Sequence, residues 1–517
     1  MTPTSHVDTR TTRRAALDMS AAGFRAAGHR LVDQIAEWLE QLPNGPVVPN
    51  ESAADVRRAL TADRGLPGAG TEATALLDEA TELLFRHSLF NGHPRFFGYI
   101  TSSPAPIGVL ADLLASAVNQ NVGAWRLAPM ASEIEAQTIR WIAELIGFPT
   151  DAGGLLVSGG NMANFVCFLA ARSAKVPQAR SMGVAAMTGR LRVYASAETH
   201  TWIQKAADMF GLGTDAIRWI ATDAEQRMNS AALEQRIADD TANGELPFLV
   251  IGTAGTVSTG AVDPLAEIAA ICRRHDVWFH IDGAYGALAA RVPEAPDTMR
   301  ALSEADSVAV DPHKWLYAPL EAGCALVRRP ADLRHAFSYH PSYYHFDHEV
   351  TNYFDYGPQN SRGFRALKVW LALRQVGSSG YFSMIGDDIR LARHLYALVE
   401  EHPDFEAMTQ RLSITTFRYV PRDLRPTLHT GETEAYLHGL NQELLTRLER
   451  SGEAFLSNAT IDGRFALRAC IVNFRTSEAD IEALPPLLSR LGREADASLR
   501  AWRVSAASDR QTPRTLR

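Results

Sequence analysis

Ser307-Val308-Ala309-Val310-Asp311-Pro312-His313-Lys314-Trp315-Leu316 is the stretch from which the rest of the chain can be read. Residues 307–310 read as a short buried strand, and the turn after them carries one lysine beside a histidine and an aromatic. A lysine just past a strand end either snorkels to solvent or has a chemical task. Upstream, Val277-Trp278-Phe279-His280-Ile281 reads as another strand and ends in Asp282-Gly283-Ala284-Tyr285. A carboxylate and an amine at the ends of two strands of one sheet meet the needs of a pyridoxal-phosphate site. The amine forms a Schiff base, and the carboxylate keeps the pyridinium nitrogen protonated.

Outward from these two strands, further strand-like runs at 155–158, 192–195, 248–252 and 323–327 alternate with helical patterns. Several are near-continuous apolar runs, which predicts an α/β layered domain around a mostly parallel sheet. Before it the chain is helical: Leu31, Ile35, Trp38, Leu39 and Leu42 fall at helical spacing and stop at Pro43-Asn44-Gly45-Pro46, with further helices expected near 54–60 and 72–85. After Gly377 a long helix, two β runs at 412–419 and 464–474 and a helix from Glu478 predict a small α+β domain. The expected division is 1–105 helical, 106–377 large domain, 378–500 small domain and 501–517 a disordered polar tail.

Bulk properties narrow the function. Apolar residues make up 46% of the 517, ample for a sizeable core, and the net charge of −8 is mild and dispersed. That argues against nucleic acid or an acidic membrane surface as the main partner. Cys167, Cys272, Cys324 and Cys470 are far apart and lie in mostly apolar surroundings, with neither disulfide nor metal spacing. His200, His280 and His313 have no carboxylate partners at metal-site spacing, so no metal is assigned. The polar start lacks the apolar core of a signal peptide and no run is long enough to span a membrane, so a cytoplasmic protein is expected.

Three turns add chemistry. Ser158-Gly159-Gly160-Asn161 follows a strand and opens a helix, and glycines there expose backbone N–H groups to an anion. His200 follows another strand in Glu198-Thr199-His200-Thr201-Trp202. The Gly/Thr-rich loop 252–260 follows a third, with Thr256 or Ser258 placed to support Asp282 or a ring hydroxyl, Thr256 being favoured.

In this order the motifs resemble the group II pyridoxal-phosphate amino-acid decarboxylases, which include the aromatic-L-amino-acid, glutamate, histidine and cysteine-sulfinate decarboxylases. Asp311-Pro312-His313-Lys314-Trp315 and Asp282-Gly283-Ala284-Tyr285 carry the resemblance, which runs from about His93 to about Arg475. It implies fold type I, like aspartate aminotransferase: a large domain with a mostly parallel seven-stranded sheet, an N-terminal helical segment and a small C-terminal α+β domain.

The resemblance also implies roles. Lys314 would carry pyridoxal 5'-phosphate as a Schiff base, with His313 beside it. Gly159, Gly160 and Asn161 would hold the phosphate, Asn161 departing from the usual Ser or Thr. His200 would stack on the ring, with Ala284 against the opposite face. Asp311 stands where many members have Asn as a phosphate contact. A carboxylate there would repel phosphate unless it points away or is buffered by His313. Tyr343 would be the lid tyrosine that delivers the proton completing decarboxylation, with Tyr344 as the alternative register.

Asn360 or Ser361 would reach the partner subunit's phosphate in a homodimer whose active site lies at the subunit boundary. Tyr99, Ile100, Thr101 and Ser102 would border the substrate. Asn121 and Gly123 would form a wall from the other subunit, smaller and more polar here than the bulky apolar one of animal aromatic decarboxylases. The activity implied is decarboxylation of an L-amino acid to the amine and CO2, with an aromatic substrate of the tryptophan, tyrosine, phenylalanine or DOPA kind favoured. Aliphatic, acidic and diamino substrates, and an aldehyde-synthase or aminotransferase reaction, stay open.

Overall fold

A computed structural model describes residues 15–339 and 350–511. The chain forms two compact units, the first ending at Leu89 and the second beginning at Phe90.

The first unit contains the helices Ala21–Gln41, Ala53–Ala59 and Ala73–Arg86. Ser20 caps the first by accepting from Gly23 N at 3.1 Å, so it starts ten residues before the apolar periodicity that begins at Leu31. Ser52 and Asp55 form a capping box on the second. Trp38 stacks on Phe85 at 4.8 Å, and Arg30 pairs with Asp78 at 2.7 Å, joining the first and third helices.

In the second unit, β1 (Gly153–Val157), β2 (Leu191–Ser196), β3 (Ile217–Ile220), β4 (Leu246–Thr253), β5 (Trp278–Asp282), β6 (Ser307–Val310) and β7 (Gly323–Val327) form one sheet, in the order β1-β7-β6-β5-β4-β2-β3. Neighbours from β2 to β6 pair in parallel, and β7 is antiparallel to both β1 and β6. Six strands therefore end on the same edge, where open α/β sheets bind their ligands. The near-continuous apolar runs follow from burial on both faces: every residue of β1, β2, β5, β6 and β7 is buried.

All six expected strands are present in this sheet. The unforeseen one, β3, is a short edge strand that pairs only with β2 and carries Arg218 and a half-exposed Trp219, so it has no continuous apolar signal.

The remaining strands, β8 (Phe405–Arg411), β9 (Ile414–Tyr419), β10 (Ser457–Ile461) and β11 (Arg464–Cys470), form an antiparallel sheet in the order β10-β11-β9-β8. Leu437, Leu440 and Leu444 of the helix Gly431–Ser451 share a core with Phe417 and Leu467 of this sheet. The expected run at 412–419 is thus the second arm of a hairpin that turns at Leu412, whose φ is 47°.

The expected boundary at 105 falls inside the second unit. Phe97 N donates to Phe455 O at 2.8 Å, Cys470 N to Phe97 O at 2.9 Å and Ala105 N to Tyr317 O at 2.8 Å, so residues 90–105 are stitched into it. The expected boundary at 377 falls where Gly377, with φ 70°, breaks the path of the helix Ala366–Glu401. The last helix, Leu484–Gln511, runs past 500, where a disordered tail was expected. Good helix formers continue in this stretch and no proline intervenes before Pro513.

Candidate active site

The strand ends converge on a cavity of about 320 Å³, within the range of small-ligand sites. Gly159, Gly160 and Asn161 enter it from the end of β1, His200 from the loop after β2, Asp282 and Ala284 from β5, and Asp311, His313 and Lys314 from β6.

Lys314 sits on the short helix Pro312–Trp315, which starts where proline ends β6. Its Nζ lies 3.2 Å from Asp311 Oδ2. Trp315, next in sequence, stacks on Tyr285 at 4.9 Å. Trp315 Nε1–H and Tyr317 O–H both donate to Asp388 Oδ2 at 2.8 Å, fixing the lysine turn from behind. Burial pushes the Asp388 carboxyl up to about 7.

Asp282 is aimed rather than merely present. Its Oδ2 accepts from Trp202 Nε1–H at 2.7 Å and its Oδ1 from Ala284 N–H at 3.2 Å. His200 Nδ1 accepts from Trp202 N at 3.2 Å. Partial burial lowers the His200 pKa, aided by Lys314 and Lys205 and opposed by Asp282, which favours the neutral ring. Burial likewise lowers His313, against the pull of Asp311, and His313 Nδ1 lies 2.7 Å from Ala322 O.

The glycine turn is as tight as a cradle requires. Gly159 has φ 138°, in the region that favours glycine. A Cβ on Gly160 would lie 2.7 Å from Asp311 Oδ2 and 3.1 Å from Ala284 Cβ. No side chain caps the helix Gly160–Lys175, so its first N–H groups are available to an anion.

Other expectations are placed differently. The Thr256 hydroxyl is buried inside its own loop, 3.1 Å from Thr259 Oγ1 and accepting from Ala261 N at 3.1 Å, and it does not reach Asp282. Thr253, Gly255 and Val257 of that loop line the cavity, and Trp202 holds Asp282 instead.

Of the segment 99–102, Ile100 lines the cavity. Tyr99 is 59% exposed against Phe455, and Thr101 is half-buried off the cavity. Ser102 is buried, and its hydroxyl donates to His313 O at 2.8 Å, so it steadies the lysine turn from the side.

Asn121 and Ser361 lie off this chain's cavity. Asn121 Oδ1 accepts from Gly123 N and Arg362 N at 3.1 and 3.0 Å, which ties the two segments together. Arg362 points into the core, where it pairs with buried Glu135 and donates to Val122 O at 2.8 Å. Tyr343 and Tyr344 lie outside the described residues.

Two groups escaped the sequence reading. Trp202 stands two residues after His200, and its indole was the available signal for a partner to Asp282. Asp388, 73 and 71 residues from its donors, has no local signal at all. Among the described residues, no group of three His, Cys, Asp or Glu could hold a metal ion.

The residues fit pyridoxal phosphate. An uncapped helix start behind a glycine turn suits the phosphate, a clamped carboxylate suits the ring nitrogen, and Lys314 supplies the amine.

Comparison with known proteins agrees. Residues 59–420 match the pyridoxal-dependent decarboxylase conserved domain. The chain is 33% identical to an aromatic-L-amino-acid decarboxylase of Bacillus atrophaeus, covering 93% of this chain and 98% of that one. It is 30% identical to tyrosine decarboxylase 2 of Arabidopsis thaliana, over 88% and 84%. The crystal structure of Oryza sativa TDC with PLP and tryptamine superposes with a TM-score of 0.86 at 28% identity, over 93% of this chain and 99% of that one. The chain belongs to the pyridoxal-dependent decarboxylases, and it is an amino-acid decarboxylase that uses pyridoxal phosphate on a fold type I scaffold.

Proposed function

We propose that this enzyme converts an aromatic L-amino acid to its amine and CO2. The observation that carries the substrate class is the near full-length similarity to an aromatic-L-amino-acid decarboxylase. Ile100, Val257 and Leu320 give the cavity apolar wall, in keeping with that class.

When bound, the cofactor supplies an electron sink for the pair left behind as CO2 departs. Lys314 would hold the cofactor covalently through Nζ, in a bond that a substrate amine can replace. Asp282, fixed by Trp202 and Ala284 N–H, keeps a proton on the ring nitrogen. His200 and Ala284, which both line the cavity, would hold the cofactor's ring between them and so orient the bond to be broken. Gly159, Gly160 and Asn161, at the uncapped helix start, would anchor the phosphate.

Tyr343 completes the reaction by delivering a proton to the α-carbon. Relatives named phenylacetaldehyde synthase keep an aldehyde-forming reaction as the second reading. A screen of common L-amino acids for amine, aldehyde and CO2 tests both, with amine from aromatic substrates expected. Amine only from acidic or aliphatic substrates, or aldehyde as the main product, overturns the proposal. Tyr343→Phe should leave cofactor binding nearly unchanged and slow amine formation by about 10²–10⁴-fold, with aldehyde yield rising. If Tyr344→Phe has that effect instead, the register is off by one.

The proposal includes a cytoplasmic homodimer. On the helix Pro106–Val118, Leu110, Leu113, Leu114 and Val118 are each more than half exposed, an apolar face of the kind that partners cover. Asn121 and Ser361, turned away from this chain's cavity, would serve the site of the second subunit. Light scattering that found an active monomer would refute this. The four cysteines are buried and unpaired, in keeping with a reducing compartment.

A further inference from the structure

We propose that Asp311 sets the affinity of this enzyme for the cofactor's phosphate: its carboxylate is the counter-ion of Lys314 while the cradle is empty, and opposes the phosphate once it is filled. The proposal rests on Lys314 and the Gly159-Gly160 turn being the cofactor's anchors.

Asp311 is 2% exposed. Its Oδ2 lies 3.2 Å from Lys314 Nζ and 3.8 Å from His313 Nε2. Its Oδ1 has no hydrogen-bond partner among the described residues. A buried carboxylate oxygen left without a donor carries an uncompensated desolvation cost, so the carboxylate depends on the Lys314 ammonium beside it.

The position matters as much as the charge. Oδ2 stands 2.7 Å from where a Cβ of Gly160 would be, so the carboxylate abuts the turn that receives the phosphate. Asp311 neither points away nor caps backbone through its free oxygen. His313 is a poor buffer, because burial lowers its pKa and favours the neutral ring.

Loading moves the counter-ion away. As Lys314 condenses with the cofactor's carbonyl carbon, a C=N bond replaces the C=O bond, two of the ammonium's protons leave with the carbonyl oxygen as water, and the third stays on the imine nitrogen, shared with the ring's phenolate oxygen. The C–N bond that forms draws Nζ toward the cofactor and away from Asp311. The carboxylate then faces a phosphate carrying about −1.5 to −2 charges at neutral pH. Like charges a few ångström apart in a protein cleft repel by enough to weaken binding at least roughly tenfold. An amide of the same shape would remove the repulsion and could donate to the phosphate.

The experiment compares two ligands that differ only in the phosphate. Apoenzyme is titrated with pyridoxal phosphate and with pyridoxal, and binding is read from quenching of tryptophan fluorescence rather than from activity. The quantity measured is the ratio of the two dissociation constants, pyridoxal over pyridoxal phosphate. D311N is expected to raise this ratio about tenfold, through tighter binding of the phosphate ester, whereas D311E should stay within threefold of wild type. A rise beyond threefold in D311N supports the proposal, and a ratio within threefold of wild type, or a fall, overturns it. Should D311N fail to fold, D311S removes the same charge with less volume and carries the measurement. Borohydride reduction of wild-type holoenzyme should label Lys314. A label on another lysine would unseat the anchor assignment, while the ratio would still measure the effect of the Asp311 charge on its own.

Discussion

Lys314→Ala is expected to abolish turnover and the absorbance of lysine-bound cofactor together. Lys314 is the lysine among the residues lining the cavity, with its Nζ 3.2 Å from Asp311 Oδ2 and its side chain partly exposed. Among the described residues, alanine removes the only lysine amine that lines the cavity. The turn itself should survive, because Trp315 and Tyr317 keep their bonds to Asp388 and Ser102 keeps its bond to His313 O. The variant should therefore fold, bind the cofactor non-covalently and convert no substrate above background. Borohydride trapping with peptide mapping checks the assignment. Label found on Lys205 or Lys368 in the wild type would defeat it, as would lysine-bound absorbance persisting in the variant. Lys368 is a poor rival on structural grounds, since it is buried and pairs with Asp112 at 3.0 Å.

The second large effect is expected at Asp282. The carboxylate is 7% exposed and receives one N–H on each oxygen, so its direction is set before any ligand arrives. Preorganised charge of this kind costs no reorganisation during reaction, and removing one such group typically costs about 10²–10³-fold in kcat. Asp282→Asn keeps the shape and removes the charge that holds a proton on the ring nitrogen. It should lose that factor while still binding the cofactor. A cofactor analogue methylated on the ring nitrogen carries a permanent charge there and should restore part of the lost rate in Asp282→Asn. A loss below tenfold, or no gain from the methylated analogue, would mean that Asp282 does not act through the ring nitrogen. Trp202→Phe offers a milder check of the aim: it leaves the charge and removes the indole donor, so a smaller fall in kcat is expected, with the pH profile shifted.

The chain's local grammar carried the fold and the reactive residues. The runs that became β1, β2, β4, β5, β6 and β7 are apolar because both faces of the sheet are covered, and each chemical residue sits just after one of them. A strand end followed by Gly-Gly, by histidine, by aspartate or by lysine is a feature of a few neighbouring residues. Parallel pairing then brings all those ends to one edge, so order along the chain was enough to assemble Gly159, Gly160, Asn161, His200, Asp282, Ala284, His313 and Lys314 in one cavity. β3, β8 and β10 escaped because edge strands with polar or charged residues carry no run of buried positions.

Tertiary structure alone decided which groups hold those residues in place. The partners of Asp282, Trp315 and Arg362 lie 80, 73 and 227 residues away, and nothing in their spacing announces them. Thr256 illustrates the converse. A hydroxyl in the right loop was available to support Asp282, but its own turn satisfied it first, leaving the buried carboxylate to the indole of Trp202. Local pattern places a side chain on an edge. Whether its polar atoms face a ligand or are consumed by a neighbour is settled by burial, because a buried polar atom takes the donor or acceptor that packing puts within reach, and packing is a property of the whole chain.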